Sequence, residues 1–279
     1  MITTLQGVID GLMPPIFNQK TGSNGNFSGG AMSTAAYATG DIGAMTAPSS
    51  GVAGNTLVGW ASGALPFNNP ASGETVLARA QLRLAHPYAA GSFLIDRLWH
   101  NSGLDRTLTT AQTVNSVAWP ARDVNGSSNG EGVVIGVETS ATMGTGAPTI
   151  SMSYTNSAGT AGRTASNIAL PIASTSVSVL FPMALQAGDT GVQSIQNVTF
   201  SASWGTQGSL SLVAYRVLAC MPTIGTTGAA GSKQITADDV LSLGAPRIPD
   251  NAFLQLWGMW SGIGAASFGA QGHLLVAQG

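Results

Sequence analysis

Three ionisable side chains stand close together in the segment FLIDRLWHNSG, residues 93–103, namely Asp96, Arg97 and His100. With Ser102 two positions further on, the segment contains the residue types of a Ser-His-Asp hydrolase. In an extended strand, however, Asp96 and His100 lie about 13 Å apart, because each residue advances the chain by about 3.3 Å. A triad needs its members within hydrogen-bond distance, so we expect these residues to have no catalytic role.

The segment reads better as an organising strand that mixes charged and bulky apolar side chains on both of its faces. Alternation puts Leu94, Asp96, Leu98 and His100 on one face and Ile95, Arg97 and Trp99 on the other. Such a strand is typical of a position between two packed layers or between two chains. Because an unpaired buried charge costs several kcal/mol, its polar groups must pair with another strand or another subunit. We therefore predict that Asp96, Arg97 and His100 form an interface network.

The other candidate ligands do not indicate a metal or cofactor site. The histidines, His86, His100 and His273, are scattered without ligand spacing. The segment DVNGSSNGE, residues 123–131, carries side-chain oxygens, but its glycine and glutamate do not fit the register of an EF-hand. We expect a turn loop there and predict no catalytic residue, no cofactor and no metal.

Carbohydrate chemistry is also weakly indicated. Glu74, Glu131 and Glu138 are isolated carboxylates, whereas a glycosidase needs a pair. The tryptophans could stack on sugars, but such residues are more often core or interface anchors, and they are Trp60, Trp99, Trp119, Trp204, Trp257 and Trp260. The single cysteine, Cys220, cannot form an intrachain disulfide and is expected to be a small core residue.

The scarcity of charge is the most informative property of the composition. Charged residues make up 8% of the 279 residues, against about 25% in ordinary soluble domains. A surface with so few charges is poorly solvated, and burial in an assembly is the usual remedy. The formal net charge of −2 and the lack of a basic stripe argue against nucleic-acid binding. The sequence shows no continuous apolar run of about 18 residues, so no membrane helix is expected.

Residues 1–70 are predicted to be an extended N-terminal arm with one short helix. The helix is expected over Thr4–Leu12, with Pro14–Pro15 as its stop. The segment that follows, Lys20 to Pro70, is rich in Gly, Ser, Ala, Asn and Thr. A loop of that length is uncommon inside a compact domain. We expect the arm to lie on a neighbouring chain through spaced anchors, which are Leu5, Ile9, Phe17, Phe27, Tyr37, Trp60 and Phe67.

Residues 71–279 are predicted to form an all-β, antiparallel β-sandwich of jelly-roll-like type, because short alternating segments are separated by turn signals. The clearest predicted hairpin joins 192–204 to 210–220. Residues 163–170 and 176–181 are both expected to pair with 149–155. A short helix is expected over 238–243, with Thr236 as its cap.

Six segments occur in a characteristic order, and they are DRLWHNSGL (96–104), NSVAWPARD (115–123), NGEGVVIGVE (129–138), SYTNSAGTAGRTA (153–165), AGDTGVQSIQ (187–196) and LVAYRVLA (212–219). The ordered set resembles a group of tailed-bacteriophage structural proteins over residues 90–220, with PRIPDNAFLQL (246–256) as a weaker extension. The resemblance implies a virion component built on a β-sandwich and assembled in the host cytoplasm. It brings no catalytic residues with it.

We therefore expect a non-enzymatic structural protein, specifically a capsid decoration or cement protein that forms a homotrimer. Its arm would staple neighbouring subunits of the major capsid protein, or of another virion protein, by burying apolar area. Two alternatives remain open. One is a neck, baseplate or tail-fibre component, and the other is a carbohydrate-binding protein that recognises a host receptor.

Overall fold

The computed structural model describes residues 2–22, 26–27, 32–34, 37, 44–59, 62–84, 89–139, 148–169, 179–205, 210–222, 233–234, 238–239, 246–260, 264–265 and 268–279. These residues form one short helix and a set of strands arranged in antiparallel sheets. The predicted all-β, sandwich-like class is thereby confirmed.

The helix is α1 (Leu5–Asp10). The strands are β1 (Ile16–Gly22), β2 (Asn26–Phe27), β3 (Met32–Thr34), β4 (Asn55–Thr56), β5 (Thr75–Leu84), β6 (Ala89–His100), β7 (Gln112–Thr113), β8 (Val134–Thr139), β9 (Thr149–Asn156), β10 (Arg163–Ala169), β11 (Val179–Pro182), β12 (Val192–Phe200), β13 (Leu210–Pro222), β14 (Lys233–Gln234), β15 (Asp238–Asp239), β16 (Arg247–Ile248), β17 (Leu254–Trp260), β18 (Gly264–Ala265) and β19 (Phe268–Gln278).

The chain divides into two compact units. Unit 1 consists of Met1–Thr46, Val58–Asp96 and Val217–Gly279, and unit 2 consists of Ala47–Leu57 and Arg97–Arg216. This division differs from the predicted boundary at residue 70, because residues before and after that position share unit 1. Residues of the predicted arm pair with strands of the same chain, as β1 does with β19.

Unit 1 is built around a sheet with the order β1-β19-β5, in which β14, β15 and β16 pair with the other side of β5. A second layer contains β17, which pairs with β3 and with β6. Leu77 of β5 and Leu274 of β19 share a buried cluster with Leu94 of β6 and Leu254 of β17. The two layers therefore enclose a single apolar core.

Unit 2 has the same two-layer logic. One layer is the sheet β10-β9-β12-β7, and the other contains β8 between β11 and β13. The alternate residues of β9, Ile150, Met152 and Tyr154, have no exposed surface beyond 1% and face Ile135 and Val137 of β8 within one cluster. Alternation along each strand thus supplies the core, as expected for a sheet with one buried face.

Two predicted strand pairings are wrong. The strands of the expected hairpin belong to different sheets, because β12 pairs with β9 and β7 whereas β13 pairs with β8. The described part of 176–181 is β11, and it pairs with β8 rather than with β9. The pairing of β10 with β9 is confirmed. A turn signal shows that the chain reverses, but it does not say whether the next strand joins the same layer or crosses to the opposite one.

The two predicted helices have different outcomes. α1 is confirmed, and its N-cap is Thr4, whose Oγ1 accepts a hydrogen bond from Gly7 N at 3.0 Å. The prediction of a helix at 238–243 is wrong for Asp238 and Asp239, which form β15 against β5. Thr236 and 240–243 lie outside the described residues. A free sheet edge offers backbone partners that outweigh the weak propensity of so short a segment.

Candidate functional site

The organising strand β6 places Arg97 against Glu138 of β8, within unit 2. Arg97 Nη1 donates to Glu138 Oε1 at 3.0 Å, and Arg97 Nη2 donates to Oε2 at 2.7 Å. Both side chains are completely buried. The two-pronged geometry matches the planar guanidinium to the planar carboxylate, which is the strongest form of such a pair.

His100 completes the group, which we call the Arg97 cluster (Arg97, Glu138 and His100). Arg97 Nη2 lies 3.0 Å from His100 Nδ1. Because the guanidinium has only donors, Nδ1 must accept and the ring proton must lie on Nε2. Burial, together with the charge of Arg97, lowers the pKa of His100 to about 3. The ring is therefore neutral near pH 7, and the Nδ1 lone pair is already engaged, which does not suit a general base.

Asp96 and Ser102 have different partners from His100. Asp96 Oδ1 accepts a hydrogen bond from the backbone N–H of Phe253 at 2.9 Å, and Ser102 Oγ accepts one from Gly51 N at 3.1 Å. The three residue types of a hydrolase triad are therefore present but not arranged as one, in agreement with the distance argument from the sequence.

The sequence predicted that the charges of β6 pair with another strand or another subunit. For Arg97 the partner is on another strand of the same chain. Asp96 and Arg97 are 0% exposed and His100 is 6% exposed. Side chains this deeply buried offer almost no surface to a second chain in this conformation. The Arg97 cluster is thus an internal crosslink. Its charges pair within one chain and require no partner from a second chain.

The loop 123–131 is held by one carboxylate. Asp123 Oδ1 accepts from the backbone N–H groups of Asn125 and Ser127 at 2.9 and 2.7 Å, and Oδ2 accepts from those of Gly130 and Glu131 at 3.0 and 3.1 Å. Hydrogen bonds from Ser127 and neighbouring backbone groups lower the pKa of Asp123 against the opposing effect of burial. The predicted turn loop is confirmed, and its central carboxylate is already fully engaged by donors.

A second charged cluster ties β9 and β10 to the turn before β12. Asp189 accepts two hydrogen bonds from Arg163, both at 2.9 Å, one from Tyr154 Oη at 2.5 Å and one from Asn156 Nδ2 at 2.7 Å. The hydrogen bond from Arg163 is the main cause that holds the pKa of Asp189 well below its usual range. Burial, followed by the hydrogen bond to Asp189, raises the pKa of Tyr154. Each polar group meets its complement, so the cluster stabilises the fold and leaves no reactive group.

The N-terminal segment shows the opposite arrangement, with large apolar side chains on the outside. α1 buries Val8 against Val76 and Ala277. Around it Leu5 and Ile9 are 58% and 52% exposed, and Phe17 of β1 is 68% exposed. We call the exposed set the N-terminal apolar patch, and its members are Leu5, Ile9, Leu12, Met13 and Phe17.

The other predicted arm anchors do not belong to this patch. Phe67 is buried in the core of unit 1, so its assignment as an anchor on a neighbouring chain is wrong. Tyr37 is half-buried, and Phe27 lies in β2 beside β18. Trp60 falls outside the described residues. An apolar residue in a Gly- and Ser-rich segment can pack in the core of its own chain or against another chain. Its tertiary neighbours determine which of the two it does.

Aromatic and sulfur-containing residues give two further outcomes. Trp99, Trp119, Trp204 and Trp257 are at most 3% exposed, so these four are core anchors rather than a sugar-stacking surface. Trp99 and Trp119 pack against each other with ring centroids 5.1 Å apart.

The expectation that Cys220 lies in the core is wrong, because it is exposed on β13. Its neighbours Ala219 and Met221 are buried, and the alternation of the strand puts Cys220 on the outer face.

Two functional residues could have been found in the sequence and were missed. Glu138 is the lone carboxylate in the buried strand GVVIGVET, so it required a cationic partner. Leu12 is the last residue of the helix predicted over Thr4–Leu12 but is not among the predicted anchors, although it is 46% exposed. Within the described residues, no group of three His, Cys, Asp or Glu side chains could hold a metal ion. Among the same residues no helix has the length and hydropathy needed to cross a membrane.

Comparison with known proteins finds two distant structural matches. No family model matches the chain, and no curated protein matches it. Two solved structures align over 96% of this chain, and they belong to the Gt and Gx strains of infectious bursal disease virus. They show 9% and 14% identity, cover 82% and 42% of the other chain, and have TM-scores of 0.17 and 0.14. Likenesses at that level do not establish a shared fold or function.

Proposed function

We propose that this chain is a non-enzymatic structural protein of a tailed-phage virion, acting as a capsid decoration or cement protein. The observation that carries the proposal is the N-terminal apolar patch on a chain with only 8% charged residues. A helix normally turns its apolar stripe toward its own core. In α1, Leu5 and Ile9 instead face solvent, which is the arrangement expected of a side that a neighbouring chain covers.

The interior supports a structural role rather than a chemical one. The carboxylates of Glu138, Asp123 and Asp189 accept hydrogen bonds from protein donors, and His100 accepts one from Arg97. Of the tryptophans that could have stacked on a sugar, four are in the core, and they are Trp99, Trp119, Trp204 and Trp257. These features favour attachment over catalysis or carbohydrate recognition, and the segment resemblance over residues 90–220 points to a phage particle.

The test asks whether incorporation of the protein into particles depends on this patch. Deletion of the first sixty residues would also remove β1, which pairs with β19, so point substitutions are cleaner. Particles assembled with the triple variant Leu5→Ser/Ile9→Ser/Phe17→Ser should carry far less of the protein than wild-type particles, as measured by quantitative gel analysis and labelled electron microscopy.

The matched control is Val58→Ser/Val124→Ser/Val217→Ser, which changes apolar side chains that are 59%, 61% and 46% exposed elsewhere. The control should leave occupancy unchanged. Equal occupancy for both triple variants would contradict a role of the patch in incorporation. Purified virions that lack the protein altogether would contradict the proposed function itself.

A further inference from the structure

We propose that the N-terminal apolar patch is covered by a second copy of this chain, which pairs antiparallel with β1 about a two-fold axis. The inference rests on the proposed function in one respect, since it names the partner of the same surface. Its physical basis is separate, and it comes from the edge of the sheet in unit 1.

β1 is the terminal strand of that sheet. It pairs with β19 over seven positions, from Ile16↔Leu274 to Gly22↔Phe268, and no other described strand pairs with its outer side. The edge continues toward α1, because Leu12 bridges Ala277 and Met13 N donates to Val276 O at 2.9 Å. An open edge of this length presents a row of unpaired backbone groups, and another strand is their natural partner.

The two sides of the sheet differ in a way that favours self-pairing. Beyond β5 the opposite side is taken by three strands of two residues each, β14, β15 and β16. A head-to-tail contact would therefore match the seven residues of β1 to described strands of two residues each. A two-fold contact matches β1 to an edge of equal length, and full overlap places Gln19 of one copy opposite Gln19 of the other.

The charge of the surface permits it to meet itself. Residues 2–22 contain two ionisable side chains, Asp10 and Lys20, which are of opposite sign. Asp10 Oδ1 already accepts a hydrogen bond from Gln6 Nε2 at 2.7 Å, and the register with Gln19 opposite Gln19 places Lys20 opposite Asn18 rather than opposite itself. In a two-fold contact every charge meets a like charge near the axis, so a patch of one sign would repel its copy. A nearly uncharged patch avoids that repulsion.

The area of the surface also fits a covering chain. A patch of several exposed apolar side chains supplies on the order of a few hundred Å², and a specific interface buries about 800 Å² per partner. Edge-to-edge pairing of β1 with its copy would supply the remaining area.

The experiment uses two charge variants of the full chain, Phe17→Glu/Gln19→Glu and Phe17→Arg/Gln19→Arg. Both positions are exposed, so the thermal midpoint should stay close to that of the wild type. By sedimentation equilibrium the wild type should be a dimer rather than the homotrimer expected from the sequence, because a two-fold contact closes with two chains. Each variant alone should dimerise at least about tenfold more weakly, because like charges then face each other across the axis. An equimolar mixture should restore a one-to-one dimer.

The controls are Val58→Glu and Val58→Arg, since Val58 is 59% exposed in the same unit. They should dimerise like the wild type, alone and mixed. A monomeric wild type, an oligomer that ignores the patch variants, or a mixture that stays monomeric would each overturn the inference. A second measurement needs no variant: amide exchange at residues 16–22 of the wild type should quicken on dilution, and concentration-independent exchange would also overturn it.

The outcomes separate this inference from the proposed function. Restored dimers in the mixture, with no protein found on virions, would leave the two-fold contact standing and remove the virion role. If virions carry the protein but the charge variants do not change its oligomeric state, the virion role would stand and the two-fold contact would be removed.

Discussion

The N-terminal apolar patch of unit 1 and the Arg97 cluster of unit 2 invert the usual distribution of side chains. In the patch, Leu5 and Phe17 are more than half exposed, whereas Arg97 and Glu138 have no exposed surface. Most proteins place charge outside and hydrocarbon inside. In this chain two of the few charged residues, Arg97 and Glu138, crosslink strands in the interior, whereas the surface near the N-terminus is apolar. A surface of that kind is suited to being covered by another chain.

The largest expected effect on stability comes from removing one partner of the buried Arg97–Glu138 pair. Glu138→Ala leaves the Arg97 charge buried without its carboxylate and should lower the free energy of unfolding by about 3–5 kcal/mol. The measurement is urea unfolding followed by tryptophan fluorescence, because Trp99 and Trp119 lie in the core of unit 2.

The matched control for that variant is Glu74→Ala. Glu74 pairs with Arg247 at 3.6 Å, and the Arg247 side chain is 63% exposed, so the loss should stay below about 1 kcal/mol. Replacing both partners, Arg97→Met with Glu138→Leu, should recover most of the loss, because no unpaired charge remains. Equal losses for Glu138→Ala and Glu74→Ala would show that burial does not distinguish the two pairs.

The next effect compares two aspartates, one in each unit. Asp123→Ala removes the acceptor of four backbone N–H groups and should cost about 2–3 kcal/mol. Asp10→Ala near the patch removes a single exposed hydrogen bond from Gln6 and should change stability by less than about 0.5 kcal/mol. Thermal unfolding of both variants checks the difference, and a reversed order would refute it.

A smaller effect appears as pH dependence. The pKa of His100 is lowered to about 3 in the folded chain, so the unfolded chain binds the proton first as pH falls. Its contribution to stability is complete above pH 6.5 and is lost between 6.5 and 3, with a slope approaching about 1.4 kcal/mol per pH unit. His100→Gln should flatten the dependence of the free energy of unfolding on pH between pH 7 and 5. Equal slopes for the wild type and the variant would contradict the lowered pKa of His100.

The smallest effect on stability is expected from the patch itself. Because Leu5, Ile9 and Phe17 are largely exposed, each change to serine should alter the free energy of unfolding of the dissociated chain by no more than about 0.5 kcal/mol. Urea unfolding at high dilution measures it. A loss of several kcal/mol would mean that these side chains support their own fold, and the contrast with the Arg97 cluster would disappear.

Several elements could be predicted because their determinants are local. Thr4 caps α1, alternation marks β5, β9 and β13, and the turn after β9 returns the chain into β10. The partner strands of β12 and β13 could not be predicted. Each strand carries an apolar face that fits either layer of a sandwich, so the choice of layer depends on residues far away in the chain.

The candidate sites show the same limit. A buried charge on β6 required a partner, and the residue types alone established that much. That the partner is Glu138, 41 positions away, was decided by the packing of β6 and β8 within unit 2. Composition likewise indicated a surface that needs covering. Whether Phe17 or Phe67 belongs to that surface depends on their neighbours, because an aromatic ring is apolar in either place, and only the tertiary structure buries one and exposes the other.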